Sequence, residues 1–154
     1  MTPFSVIPIG VIRTPFKTLS ECPRGAGPGG PSCRVELVAT FAPALLGIEA
    51  ASHVWLLYWL DRADRDALTV VTPHDGVTRG VFANRSPARP NPIAMRAVRL
   101  YGVELHRDRP QLLISGMDCL DGTPLLDLKP YVPKGDRIDD ARLAWMSPPT
   151  EGEM

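Results

Sequence analysis

The sequence predicts a mainly β protein: a compact antiparallel β-barrel-like domain with one or two short helices. About seven short segments combine β-branched or alternating apolar residues, and turn residues separate them at short intervals. The chain shows neither a regular alternation of strands with long helices nor a Gly-x-Gly-x-x-Gly loop, which argues against a Rossmann fold. Its 154 residues suit a single domain. We predict that this domain spans residues 1–145 and that a flexible tail occupies residues 146–154.

The N-terminal half predicts two strands, a short helix and a third strand. In chain order these are Ser5–Arg13, Arg34–Thr40, Pro43–Ala51 as the helix, and His53–Leu60. The last segment, HVWLLYWL, is almost wholly apolar, which is typical of a strand buried on both faces. Between the first two strands, Cys22–Ser32 is rich in glycine and proline, and is either a flexible surface loop or a lid over a site.

The C-terminal half predicts a series of hairpins. Short strands at Leu68–Thr72 and Arg79–Ala83 flank a Pro-His-Asp-Gly turn, and Met95–His106 is followed by a return strand at Gln111–Gly116. Asp121-Gly122 is a strong turn pair.

Composition limits the classes of function. The longest apolar run, Val54–Leu60, is far shorter than the roughly 20 residues that span a membrane, and no export signal is visible, so we expect a cytoplasmic protein. Cys22, Cys33 and Cys119 are widely spaced, which predicts free thiols and no metal site. Net charge is zero, but five arginines and no acid lie between residues 76 and 103, a basic stretch that would attract an anion.

The segment Arg79–Arg96, RGVFANRSPARPNPIAMR, is a candidate binding loop. Its three prolines restrict the backbone, and a stiff loop loses little entropy when a ligand binds. Arginine offers a planar set of donors for phosphate or carboxylate, and asparagine suits a base or sugar edge. The alternative is a proline-rich connector with solvated arginines.

The segment Asp118–Pro133, DCLDGTPLLDLKPYVP, is a second candidate. Asp118 and Asp121 lie beside a turn, where they could accept hydrogen bonds from ribose hydroxyls or an ammonium group. Lys129 and Tyr131 flank a proline that would orient them. The alternative is ordinary turn chemistry, which Asp and Gly favour in any case.

Five segments together resemble one known family. They are PIGVIRTPFK, CPRG, GIEAASHVWLLYWL, TRGVFANRSPARPNPIAMRAVRL and DGTPLLDLKPYVP, in this order between residues 8 and 133. They resemble the TsaA-like, or TrmO, family of tRNA methyltransferases. The resemblance implies S-adenosylmethionine as the cofactor, bound near a homodimer interface. It also implies methylation of N6 of threonylcarbamoyladenosine beside the tRNA anticodon.

The resemblance also implies the residues of the cofactor site. Those expected to bind the cofactor are Pro23, Arg24, Gly25, Asp61, Arg62, Arg85, Met95, Asp118, Cys119, Leu120 and Asp121. From the two candidate segments themselves, we expect Arg89, Asn91, Arg96, Lys129 and Tyr131 to bind the substrate. Asp118, Asp121 or water is the candidate proton acceptor. Two other functions stay open: a methyltransferase for a small metabolite, and a non-catalytic regulator that binds the cofactor or RNA.

Overall fold

Eight strands form two sheets in the computed structural model, which describes residues 1–24 and 30–146. They are β1 (Gly10–Arg13), β2 (Cys33–Leu37), β3 (His53–Trp59), β4 (Thr69–Val71), β5 (Thr78–Gly80), β6 (Ile93–Glu104), β7 (Gln111–Ile114) and β8 (Thr123–Pro130). Six of them close into a barrel in the order β1-β2-β7-β6-β3-β8, and β4 and β5 form a separate hairpin. Every pairing is antiparallel. The prediction of a mainly β antiparallel barrel is therefore confirmed.

Alternation along the strands fills the barrel interior. Successive side chains of a strand point to opposite faces, so every second residue of each wall strand enters the core. The side chains that are fully excluded from solvent in this way are Ile12, Val35, Val54, Leu56, Leu112, Ile114 and Leu125.

The strand β3 alternates in burial, so the prediction that both of its faces are buried is wrong. Val54, Leu56 and Tyr58 are buried inside the barrel, whereas the residues between them are half-buried on its outer face. Aromatic rings on this outer face are covered by neighbouring segments. The indole Nε1 of Trp55, for example, donates a hydrogen bond to Asp136 Oδ2 at 2.8 Å. An apolar residue on the outer wall therefore leaves the same sequence pattern as a core residue.

The strand β8 lies in a segment that the sequence indicated only as a turn and a binding motif. It closes the barrel by pairing with β1 on one side and β3 on the other. Its two prolines, Pro124 and Pro130, made the strand hard to recognise from the sequence, because proline has no backbone N–H to donate to a neighbouring strand. Both stand near the strand ends, as the second and the last residue.

Several predicted boundaries shift. The first strand begins at Gly10 and not at Ser5, and the second ends at Leu37 because a 3₁₀ helix, Ala39–Leu45, follows. The predicted helix Pro43–Ala51 is instead the end of that 3₁₀ helix and a second one, Ile48–Ala50. Gly47 separates them with a φ of 86°, a left-handed conformation that interrupts a helix.

Three further helical turns join the strands, namely Leu19–Glu21 and Val81–Ala83 in 3₁₀ form and the single α-helical turn α1 (Pro133–Asp136). The second of these ends the predicted strand at Gly80. The Asp-Gly turn forms as predicted, with Gly122 at a φ of 82°. Residues 25–29 of the predicted loop and 147–154 of the predicted tail lie outside the described residues. No helix in the described part is long and apolar enough to cross a membrane.

Candidate active site

A cleft of about 430 Å³ opens at one end of the barrel. The registers bring the end of β3, the start of β6 and the start of β8 together here, since Trp59 pairs with Ile93 and Tyr58 with Leu125. The loop before β6 and the segment after β7 complete the walls. Apolar residues of the lining include Leu19, Leu60, Ile93, Met95 and Leu120, and charged residues are Asp61, Arg62, Arg85, Arg89 and Asp118. This size and mixed lining are typical of a small-molecule site.

Two side chains from the barrel wall hold Asp118 in place. The Tyr58 hydroxyl donates a hydrogen bond to Oδ1 at 2.7 Å, and Arg96 Nη1 donates to Oδ2 at 3.2 Å. Tyr58 is only 2% exposed, so its hydroxyl must find a partner within the protein. Each carboxylate oxygen of Asp118 keeps further acceptor capacity, which a ligand in the cleft could use.

Strand geometry explains why Tyr58 and Arg96 meet at one carboxylate. Tyr58 pairs with Ala94, and Arg96 stands two residues further along β6, so the two side chains are diagonal neighbours on one face of the sheet. Burial, and next the nearby charge of Asp118, raise the pKa of Tyr58 well above its ordinary value. The hydroxyl therefore remains a protonated donor throughout the neutral pH range.

The segment that carries Asp118 is held by hydrogen bonds from the residue after β1 and from the first residue of β8. The Thr14 hydroxyl donates to the Cys119 carbonyl oxygen at 2.9 Å, and the Thr123 hydroxyl donates to the Leu120 carbonyl oxygen at 2.7 Å. Burial raises the pKa of the Cys119 thiol to about 12, so this part of the cleft wall is uncharged. These hydrogen bonds help to position the backbone that presents Asp118 to the cleft.

The two arginines of the proline-rich loop differ in their environment. Arg89 is half-buried, and its Nη2 donates to the carbonyl oxygens of Val81 and Asn84 within the loop. Arg85 is exposed and lines the cleft. Among the described residues it has no hydrogen-bond or ion-pair partner, and the same holds for Arg62. Arg89 stabilises the loop, whereas Arg62 and Arg85 present free guanidinium groups to the cleft.

We expect Arg89→Ala to destabilise the protein and Arg85→Ala to leave its stability unchanged. Removal of Arg89 leaves two loop carbonyls without their charged donor, which costs about 1–3 kcal/mol, whereas Arg85 has no such partner to lose. Thermal unfolding of the two variants checks this difference. Equal melting temperatures for both variants would contradict the conclusion that Arg89 stabilises the loop.

The structure brings together part of the predicted site. Asp61, Arg62, Arg85, Met95, Asp118, Cys119 and Leu120 line the cleft, and so does Arg89 from the predicted substrate set. Pro23 and Arg24 do not line it but follow Cys22, which does. Gly25 lies outside the described residues.

The other predicted residues do not line the cleft. Asp121 does not line the cleft: its carboxylate accepts from the Thr14 backbone N–H and pairs with Lys17. Lys129 pairs with Asp127 at 2.9 Å, and the Tyr131 ring packs 5.7 Å from that of Trp55. Asn91 is exposed and does not line the cleft either, and Arg96 is engaged with Asp118.

Sequence reasoning did not identify Tyr58 as a site residue, because it lies in a segment that was interpreted only as a buried strand. One signal was available: Tyr58 is a hydroxyl-bearing residue at an inward position of an otherwise apolar strand, and such a hydroxyl needs a partner.

Within residues 1–24 and 30–146, no group of three or more His, Cys, Asp or Glu side chains is placed to hold a metal ion.

The fold and the cleft define a class: an antiparallel β-barrel protein with a small-molecule site at one end of the barrel. Residues 11–137 match the model of the TrmO_N family, described as the tRNA-methyltransferase O N-terminal domain. The chain belongs to this family, and the resemblance inferred from its motifs is confirmed.

Relatives and solved structures agree with this assignment. The chain is 45% identical over 137 residues to a probable S-adenosyl-L-methionine-binding protein of Archaeoglobus fulgidus, a match that covers 89% of this chain and 36% of the relative. It is 37% identical over 161 residues to the tRNA (adenine(37)-N6)-methyltransferase of Escherichia coli, which covers 100% of this chain and 68% of the relative. The crystal structure of TrmO from Pseudomonas aeruginosa superposes with a TM-score of 0.78 at 38% identity, covering 97% of this chain and 65% of that one.

Proposed function

We propose that this protein is an S-adenosylmethionine-dependent methyltransferase that methylates N6 of an adenosine beside the tRNA anticodon, in its threonylcarbamoyl form. The single observation that carries the proposal is the cleft in which Asp118, held by Tyr58 and Arg96, shares the walls with Arg62 and Arg85, which have no ion-pair partner in the described part of the chain. Membership of the family and the activity named for the Escherichia coli relative support it.

The lining of the cleft fits S-adenosylmethionine chemically. The cofactor carries an ammonium and a carboxylate at one end, hydroxyls in the middle and an apolar-faced purine at the other end. Asp118 would accept from the ammonium or a hydroxyl, and Arg62 or Arg85 would bind the carboxylate. Leu60 and Leu120 would contact the purine.

The chemistry asked of the protein is mainly alignment. When bound, the cofactor supplies a methyl group already activated on a positively charged sulfur. The protein must then hold donor and acceptor in line, and such orientation contributes a large part of a rate enhancement. Both oxygens of Asp118 are fixed by hydrogen bonds, which suits a binding group. Because Asp121 faces away from the cleft, Asp118 or water is our proposed acceptor of the N6 proton.

The proposal includes a homodimer that works in the cytoplasm, where tRNA is found. Ile93 and Met95 are 45% and 50% exposed, yet both line the cleft. A second copy covering this outer face of β6 would bury them and enclose the cleft. Light scattering tests the dimer: a mass of twice 16.8 kDa is expected, and a monomer at working concentrations contradicts it.

Methyl transfer to defined acceptors tests the function. The protein is incubated with a methyl-labelled donor and tRNA from cells lacking this methylation, with or without the threonylcarbamoyl group, and separately with a metabolite extract. Label in the modified tRNA at the adenosine beside the anticodon is expected. Label in metabolites alone would make the protein a small-molecule methyltransferase. Donor binding without transfer to any acceptor would make it a regulator.

A further inference from the structure

A second feature is a cluster of charges on the outer face of β1 and β2, which extends from the cleft end of the barrel to the turn between β6 and β7. Inward Ile12 and Val35 alternate with outward Arg13, Arg34 and Glu36, and Arg13 pairs directly with Arg34 across the two strands. Lys17 and Arg109 reach the cluster from the adjoining loops. Part of it lines a shallow depression of about 690 Å³ that is separate from the cleft.

Two carboxylates form the base of this cluster. Glu36 contacts three arginines, namely Arg13 at 3.4 Å, Arg34 at 3.8 Å and Arg109 at 3.2 Å. Asp121 pairs with Lys17 and lies 3.8 Å from Arg13. The paired cation on Lys17, with the Thr14 N–H, holds the pKa of Asp121 below its ordinary value, so the carboxylate stays charged.

Exposure separates the two signs of charge. The carboxylates of Glu36 and Asp121 are 10% and 18% exposed, whereas the four cations (Arg13, Lys17, Arg34 and Arg109) are 38–69% exposed. Four cations over two carboxylates leave two excess positive charges, and these face solvent. Glu21, the acid that follows Lys17 in the chain, accepts from the backbone N–H groups of Lys17 and Thr18 and offsets part of the Lys17 charge, so the excess of positive charge lies mainly on the arginines. The acids orient the cations and do not cover them.

The turn Asp118–Asp121 separates this basic cluster from the cleft. Its first residue lines the cleft, and its last residue lines the depression. A chain that presents a base to the cleft would therefore pass its neighbouring phosphates over the cluster. Exposed arginines with weak or shared ion pairs suit phosphate, because guanidinium offers several donors in a fixed plane.

We propose that the basic cluster Arg13, Lys17, Arg34 and Arg109 binds the phosphate backbone of the RNA whose base enters the cleft. This inference rests on the proposed function for the identity of the RNA. It assigns the backbone contacts to the outer face of β1 and β2, beyond the proline-rich arginine loop to which the sequence motifs pointed.

The salt dependence of RNA binding tests the cluster. Affinity for an unmethylated anticodon stem-loop RNA is measured by fluorescence anisotropy between 50 and 200 mM salt, with the double variant Arg34→Gln/Arg109→Gln. Arg13 still pairs with Glu36 in this variant. If each arginine neutralises one phosphate, the slope of log affinity against log salt becomes less steep by about 1.4, and affinity at 0.1 M salt falls about 25-fold.

A matched control removes two exposed cations outside the cluster, Lys134→Gln/Arg142→Gln, with the same change of net charge. We expect its slope to stay within experimental error of the wild type. An equal loss in this control, or an unchanged slope in the cluster variant, overturns the inference. Donor binding by calorimetry and the melting temperature show that the cluster variant is folded.

The outcomes also separate this inference from the proposed function. RNA binding that depends on the cluster, without methyl transfer to tRNA, would support the inference and contradict the proposed function. Methyl transfer to tRNA with the same salt dependence in the cluster variant would sustain the function and remove the inference. A wild-type protein that binds no RNA would remove both.

Discussion

Asp118→Asn is expected to weaken binding of S-adenosylmethionine about 10- to 150-fold. The substitution keeps the size of the side chain but removes its charge. The NH2 group of the new amide is a hydrogen-bond donor, and it would face another donor, either the Arg96 guanidinium or a donor group of the ligand. Loss of a hydrogen bond to a charged group corresponds to about 1.5–3 kcal/mol, and each 1.4 kcal/mol is about tenfold in affinity. Titration calorimetry with the purified variant measures the effect directly.

Asp121→Asn is the matched control, since it is the same substitution only three residues away. Its carboxylate points to Lys17 and Thr14, away from the cleft. We expect the affinity for the donor to change less than twofold. If Asp121→Asn weakened binding of the donor as much as Asp118→Asn does, the assignment of the cleft as the donor site would be wrong. Methyl transfer at saturating donor would then show whether either carboxylate also acts in the reaction.

Gly10→Ala is expected to destabilise the barrel by about 3 kcal/mol or more. A Cβ atom at Gly10 would overlap the Glu36 carbonyl oxygen and lie 3.0 Å from the Leu37 Cα. Both are backbone atoms of the paired strand β2, so no side-chain rotation relieves the clash, and β1 must move. Overpacking costs typically 1–3 kcal/mol, and a clash against backbone belongs at the upper end. In a domain of this size the melting temperature should fall by roughly 6–12 °C.

Gly135→Ala is the control for this effect. Gly135 lies in α1, its φ is not positive, and a Cβ there meets nothing within 4 Å. Alanine is the better helix former by about 1 kcal/mol, so stability should be unchanged or slightly raised. Thermal unfolding followed by circular dichroism compares the two variants. A Gly10→Ala variant with the same melting temperature as the wild type would refute the close approach of β1 and β2.

The sequence alone identified those parts of the fold whose information is local. The alternation in β6, the return strand β7 and the Asp121-Gly122 turn were each predictable from a few consecutive residues. The strand β8 was not, because two prolines hid a segment that is a strand through its partners β1 and β3. The outer face of β3 was misjudged because indole rings covered by neighbouring segments resemble core residues in a one-dimensional pattern.

The same distinction applies to the site. Arg85 and Asp118 were identifiable from motifs, and the structure places both on the cleft. The contact between Tyr58 and Asp118 joins residues 60 positions apart, and only the register of β3 against β6 and β8 brings them together. Asp121 was assigned to the same site as Asp118 because the family motif contains both residues. A turn between them sends the two carboxylates to different surfaces.

That turn makes one backbone segment the wall of two sites. If the donor orders the segment through Asp118, the cations that pair with Asp121 are ordered as well. Phosphates bound to those cations would in turn order the segment that binds the donor. Linkage requires the two effects to be equal: whatever factor the donor adds to the affinity for RNA, RNA must add to the affinity for the donor. The donor in the cleft and the phosphates on the cluster would thus strengthen each other's binding through opposite sides of one segment, and the complex of protein, donor and RNA would assemble cooperatively.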